Sequence, residues 1–230
     1  MKFSRIFLTA LIALVAGAAF SQQGSFDFHV ADMKIVQLKA IQKELGITEA
    51  QRNKMNAAAD AERASLTAEY KRTKGKPDDK VMIGYYRTLR TKVLNMLSPA
   101  QMKRLRELTL QETGLVSLAN GEVAARVGIS APELKKIRAS IVSHQKQFES
   151  IEAAAKRPVL QEFKAKKPKS QAEGDALKKQ FSQKMQSIDQ KLRPQVTAIM
   201  TEGTNQILAA LTPAQRAAWK VLLGKPFTGH

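Results

Sequence analysis

The amino-acid sequence predicts an all-α protein: two tandem helical-hairpin units with long helices, the second hairpin longer, behind an N-terminal signal peptide. Three observations carry this expectation. After residue 27, apolar residues recur every three or four positions, and no stretch sustains the apolar–polar alternation of a strand. Four short motifs, at Thr48, Ser98, Ser130 and Thr212, have the Ser/Thr-x-x-Glu/Gln pattern that opens a helix. The chain also matches itself at two fixed offsets, the signature of a duplicated unit.

At the start, Lys2 and Arg5 precede an apolar run from Ile6 to Ala19, with cleavage positions around Ala18, Ala19 or Ser21. A charged start, an apolar run of this length and a small-residue exit describe a secretory signal peptide rather than a membrane span. Residues 1–21 are set apart on this ground, and a periplasmic or secreted location is expected. Ile35, Leu38, Ile41 and Leu45 share one face of a first helix, which Gly46 ends. A second helix runs from Thr48 to about Tyr70, and Gly75 and Pro77 break the chain within "KRTKGKPDDK" (71–80). Asp78 or Asp79 caps a third helix ending near Met96. A fourth covers about 99–113 and stops at Gly114.

In the second half a helix begins after Ser130 and extends toward Lys164, with Pro158 expected to kink or break it. "KAKKPKSQAEGD" (164–175) is the next break. A long helix from about Ala176 to Ala210 carries Pro194 as a second expected kink, and a last helix over 213–223 ends at Gly224.

Thr48 and Ser130 lie 82 residues apart, where "LGIT" matches "VGIS". At this offset Met55 meets Ile137 and Leu66 meets Phe148, while Val36, Ile41 and Leu45 meet Leu118, Val123 and Val127. Ser98 and Thr212 lie 114 apart, and there Val93, Leu94, Leu97, Leu105 and Leu108 meet Ile207, Leu208, Leu211, Trp219 and Leu222. The offsets differ by 32 residues, inside the second hairpin. Shared equally, that adds 16 residues, or about 24 Å, to each arm. The two units are read as residues 22–118 and 119–230.

The motifs are read as helix-capping boxes. In "LSPAQ" the Ser98 hydroxyl can accept from a free N–H of the first turn, and Pro99 costs nothing where its missing N–H would have had no partner. Gln101 can return to the backbone of the cap residue. The same arithmetic joins Thr48 to Gln51, Ser130 to Glu133 and Thr212 to Gln215. Leu97 with Met102 and Ile129 with Leu134 have the spacing of a hydrophobic staple.

"LTPAQ" (211–215) matches the LTXXQ motif of the Spy/CpxP family of periplasmic proteins, and "LSPAQ" and "ITEAQ" are near matches. "ISAPE" departs from it at Ile129, Ser130 and Glu133. The chain therefore resembles a tandem duplication of that family's unit, in which two motifs are joined by a helical hairpin behind a signal peptide. The resemblance implies an all-α fold and a non-enzymatic role. Members form dimers with a curved basic face and include an ATP-independent chaperone and a stress-signalling inhibitor, and related proteins sense metals. A holdase for unfolded or anionic envelope proteins is the leading expectation. An envelope-stress regulator, a metal-responsive sensor and a binder of anionic membrane or polymer are the alternatives. Two joined halves would stand as a monomeric pseudo-dimer, or pair as a homodimer.

The residues themselves point to no reaction. The chain has no cysteine, so thiolate nucleophiles, thiolate metal sites and disulfides are excluded. The three His, His29, His144 and His230, have no ligand at metal-binding spacing, and no phosphate loop or nucleophile motif occurs. No cofactor is expected. The net charge of +18 favours anionic partners. Residues 71–106 hold 11 Lys or Arg against Asp78 and Asp79, and lysines crowd the second break. Lys71, Arg72, Lys74, Arg87, Arg90, Lys164, Lys166 and Lys167 form the candidate basic client-binding surface, although lysines also serve solubility. Nucleic acid is not expected, because aromatic residues are only 6% of the chain and no binding motif is present.

Overall fold

A computed structural model describes residues 25–229. The expected signal peptide and His230 lie outside the described residues. All regular structure among the described residues is helical. The elements are α1 (Phe26–Val30), a 3-10 turn (Met33–Gln37), α2 (Lys39–Glu44), α3 (Glu49–Arg72), α4 (Asp79–Leu94) and α5 (Pro99–Thr113). A second 3-10 turn (Gly114–Ala119), α6 (Gly121–Val127), α7 (Ala131–Lys164), α8 (Gln171–Ala210) and α9 (Pro213–Leu223) follow. No helix of the described residues is long and apolar enough to cross a membrane.

The chain divides into two compact units, one ending at Ser117 but including residues 218–230, the other spanning Leu118–Ala217. The division falls inside α9, so the last stretch of the chain, read from sequence as part of the second repeat, packs with the first unit.

In the first unit Leu94, Leu105 and Leu110 are fully buried, and Val36, Ile41, Leu45, Met55 and Leu108 join them. One departure from the sequence reading lies here. Residues 35–45 are not one helix but a tight turn, an extended residue and a short helix. Asp32 Oδ1 accepts from Lys34 N at 2.9 Å and starts the turn. Leu38 is extended (φ −78°, ψ 125°), and the Gln42 side chain donates to Val36 O across the break. Leu38, expected on the core face, is consequently 43% exposed, whereas Ile35, Val36, Ile41 and Leu45 all reach the core.

This arrangement recurs 82 residues on. The second 3-10 turn leads to Asn120, extended like Leu38 (φ −73°, ψ 126°), then to α6 and to Gly128, which is left-handed like Gly46 (φ 79° and 60°). Left-handed backbone at both ends explains the glycine in "LGIT" and "VGIS". Leu118, Val123, Val127 and Ile137 are buried like their partners in the first unit. The repeat is thus one of backbone geometry as well as of letters.

Each unit also contains an antiparallel helix pair. Between α3 and α4, Lys92 meets Glu62 at 2.7 Å and the Tyr85 hydroxyl donates to Ser65 O at 3.1 Å. Between α7 and α8, Ser140 Oγ donates to Gln206, Lys156 pairs with Asp189, Lys184 with Glu162, and Phe163 lies edge-on to Phe181. Partners rise along one helix as they fall along the other. The arms hold 24 and 16 residues in the first pair and 34 and 40 in the second, so most of the added length falls in α8 rather than being shared equally.

Two further expectations are corrected. Pro158 does not break its helix, since α7 runs through it, as α8 runs through Pro194. A proline removes one N–H donor, and a helix paired along its length tolerates that loss. The second break is also shorter. Ser170 caps α8 by accepting from Glu173 N at 3.2 Å, and Glu173 returns to Lys169 N at 2.7 Å.

Gly203 is buried in α8 against His144 of α7, whose Nδ1 lies 2.7 Å from Ser140 O and so fixes the ring. A Cβ at Gly203 would sit 3.2 Å from His144 Cγ, whereas one at Gly84, inside α4, would meet nothing within 4 Å. Gly203→Val should therefore cost about 1–3 kcal/mol by overpacking. Gly84→Ala should stabilise by about 0.5–1 kcal/mol, through helix propensity alone. Urea denaturation followed by circular dichroism checks both, and opposite signs are expected.

Candidate functional site

Three groups of residues bear on function: the capping motifs, the basic surface, and a polar cluster on α5 that the sequence did not announce.

The motif at Thr48 is a reciprocal capping box, with Gln51 N donating to the Thr48 hydroxyl at 3.1 Å and Thr48 N donating to Gln51 Oε1 at 3.0 Å. Ser98 with Gln101 and Thr212 with Gln215 repeat it, the return bonds measuring 2.9 Å in both. At Ser130 both the backbone N–H and the hydroxyl donate to Glu133 Oε2, at 2.7 and 2.8 Å. The bond from Ser130 N is the largest cause holding the Glu133 carboxyl below the usual carboxylate range, followed by the Ser130 hydroxyl.

The same side chains do a second thing. Gln101 Nε2 donates to Leu45 O and to Gln51 Oε1, while Gln51 Nε2 donates to Gln101 Oε1 and to Met96 O. In the second unit Gln215 Nε2 donates to Gly128 O at 3.0 Å and to Glu133 Oε2 at 3.2 Å. Gln215 is the counterpart of Gln101, Gly128 of Gly46, and Glu133 of Gln51. Each pair of motifs is therefore a clasp that ties two helix starts together. Capping was readable from four-residue spacing, but the clasp joins residues 45 to 87 positions apart and was not.

Of the basic set, Lys71, Arg72 and Lys74 are exposed at the α3–α4 turn, and Lys164, Lys166 and Lys167 at the α7–α8 turn. Arg72 forms two bonds to Glu69, which hold that carboxyl low and raise the guanidinium. Lys166 pairs with Glu162 at 2.8 Å and lies over the Phe163 ring. Hydrogen bonds from Lys166 and then Lys184 keep Glu162 below the usual range. Arg87 is exposed on α4.

Arg90 has a different place. Its Nη2 donates to the carbonyls of Phe28, His29 and Ala31, and its guanidinium stacks over Phe28. Burial is the first cause lowering its affinity for the proton. It anchors the segment after α1 and leaves the exposed set, because three free carbonyls at that helix end need a cationic donor.

On α5, Arg104, Arg106 and Gln111 form the third group. Arg104 binds Glu44 through Nε and Nη2 (2.8 and 2.6 Å) and Glu107 at 3.0 Å, and its Nη1 donates to Lys225 O at 2.6 Å. Arg106, which is buried, binds Asp27 at 2.9 Å and the carbonyl of Leu222. Gln111 donates to Leu223 O and Lys225 O, both at 2.8 Å, and accepts from Phe227 N at 2.9 Å. Among the described residues no group of three His, Asp or Glu is placed to hold a metal ion.

No family model, curated protein or solved structure matches the chain.

The clasp makes a prediction that capping alone does not. Gln215→Glu keeps an acceptor for Thr212 N but sets a second carboxylate against Glu133, at a position where Gln215 is 7% exposed. The expected loss is about 1–3 kcal/mol at neutral pH, shrinking as acidification neutralises either carboxylate. The swap Glu133→Gln with Gln215→Glu restores a donor between the two side chains and should recover part of the loss, the bond to Gly128 O remaining absent. In the parent, the lowered Glu133 pKa contributes stability above its unfolded value, which is lost as pH falls through the folded value. Glu133→Gln should flatten that acid limb. Melting temperatures of the parent and the three variants across pH 3–7 test this; equal losses in Gln215→Glu and the swapped variant would leave capping as the whole role.

Proposed function

We propose that this chain is an exported, non-enzymatic, Spy/CpxP-like protein, a tandem duplication of that family's hairpin unit, acting as an ATP-independent holdase. Its clients would be unfolded or anionic envelope proteins. The duplication would supply within one chain the two units that the family assembles from two subunits.

The observation that carries this reading is the thinness of the α7–α8 pair. Two helices of 34 and 40 residues span about 50–60 Å, yet Ile137, Gly203 and Ile207 are their only buried residues. Along the seam Phe148, Ile151, Leu192 and Val196 are only half-buried, Met200 at its edge is 51% exposed, and Val142 and Leu160, five turns apart on the outer face of α7, are 46% and 50% exposed. A layer of two helices lacks the third element that would seal its apolar stripe. Lysines at the far turn place positive charge at one end of this surface. Long-range attraction then gathers a partly unfolded chain, and short apolar contacts hold it weakly. Methionine at an exposed position suits partners of varied shape. Nothing in this scheme calls for a nucleotide.

Suppression of aggregation of an unfolded test client tests the reading. It should weaken from about 0.01 M to about 1 M salt, as the Debye length falls from about 30 to about 3 Å. The triple change Lys164→Gln, Lys166→Gln, Lys167→Gln should mimic the high-salt result at low salt. No suppression at several-fold excess would remove the chaperone role.

A further inference from the structure

We infer that the surface of α5 holding the chain's own C-terminal segment, residues 225–229, is a binding site for an extended polypeptide, and that the segment is its displaceable occupant. The inference rests on the holdase reading for the class of partner, an unfolded chain carrying an aromatic or large apolar residue.

The first reason is that recognition at this surface is directed at main chain. Arg104 and Gln111 donate to Lys225 O, and Gln111 accepts from Phe227 N. A carbonyl of one residue and the N–H two residues on point to the same side of an extended chain, and the Gln111 amide meets both. It offers what the edge of a neighbouring strand would offer. Any polypeptide carries these groups. Side-chain selection is confined to Phe227, which packs against the core of the first unit, while Lys225, Pro226, Thr228 and Gly229 are exposed.

The second reason is that the donors stay in position without the segment. Arg104 is held by Glu44 and Glu107, and the neighbouring Arg106 by Asp27. Arg106 and the bond from Gln111 to Leu223 O also secure the end of α9, whose last carbonyls are free of helix partners, so the helix remains when the segment beyond it leaves. With Phe227 half-buried and its neighbours exposed, residues 225–229 lie at the low-stability end of the structure. A tethered occupant competes at roughly millimolar effective concentration. It therefore lowers apparent affinity by the fraction of time it is bound, which keeps capture weak and release ready.

The test uses the full mature chain and a fluorescein-labelled peptide of residues 221–229, followed by anisotropy. Phe227→Ala removes the anchoring ring. Gly224→Ala strains the turn into the segment, because Gly224 has φ +67° and its Cβ would fall 2.2 Å from the Glu107 carboxyl carbon, while the two bonds to Glu44 still hold Arg104. Both variants should bind the peptide at least tenfold more tightly than the parent, and adding Gln111→Ala should abolish the gain. Folded variants with no gain would overturn the inference. So would a collapse of helix content in both, since a segment that cannot leave cannot make room. Aggregation suppression read on the same preparations separates the two readings. Suppression without a gain in peptide binding removes this site alone, and a gain without suppression removes the holdase role alone.

Discussion

The meeting of paired helix starts is the constraint on which the rest of this structure depends. A helix N-terminus leaves backbone N–H groups without partners, and a helix C-terminus leaves carbonyls. Here the two problems are solved against each other. Gln101 caps its own helix with Oε1 and spends Nε2 on the carbonyls of Leu45 and Gly46, which end the short helix α2. Gln215 does the same with Thr212 and Gly128. One amide carries an acceptor and a donor on adjacent atoms, and both are needed. A carboxylate could cap but could not donate, which accounts for glutamine at the second motif of each unit and for the tolerance of Glu133 at a first motif. Because the clasp fixes where α3, α5, α7 and α9 begin, it also fixes the base from which the long arms extend.

The fold was legible wherever its cause was local. Ser98, Pro99 and Gln101 lie within four residues, so their capping is visible in the letters. Gly114 and Gly224, both with positive φ, end helices where the sequence places those ends. The repeat was visible too, because burial at Val36, Ile41 and Leu45 constrains Leu118, Val123 and Val127 in the same way. What escaped was tertiary. Periodicity carries smoothly through Leu38, and only the turn begun by Asp32 reveals that the helix is interrupted there. Ser170 caps α8 behind a readable Ser-x-x-Glu signal, with Glu173 returning to Lys169 N, but the surrounding lysines and proline mask it.

The charged residues show the same division more sharply. Counting lysines and arginines gives net charge but not address. Lys71, Lys164 and Lys167 are exposed, whereas Arg90 and Arg106 are committed to carbonyls of segments 59 to 116 residues distant. Arginine suits that inward role because its planar fork can serve several acceptors and its charge persists on burial. Arg90 stacks on Phe28 while holding three carbonyls, and Arg106 joins Asp27 to the end of α9. Lysine, a hydrated point charge on a flexible stem, stays at the turns. The composition thus hides two populations of positive charge, one structural and mostly arginine, the other exposed and mostly lysine.

That division bears on how the proposed holdase would also let go. Capture by exposed lysines is long-ranged and unselective, and it falls away with ionic strength. Capture by main-chain donors is short-ranged and needs an extended backbone, which a folded protein does not present. A chain drawn in by charge would meet exposed apolar residues of the long pair such as Val142 and Met200 first. Contacts of this kind contribute a few tenths to about one kcal/mol each and are lost one at a time as a client buries its own apolar groups. Donors on α5, already filled by the C-terminal segment, would add affinity only for a partner able to displace it. On the proposed reading, binding would be weak and a client would leave by folding, with no energy source required.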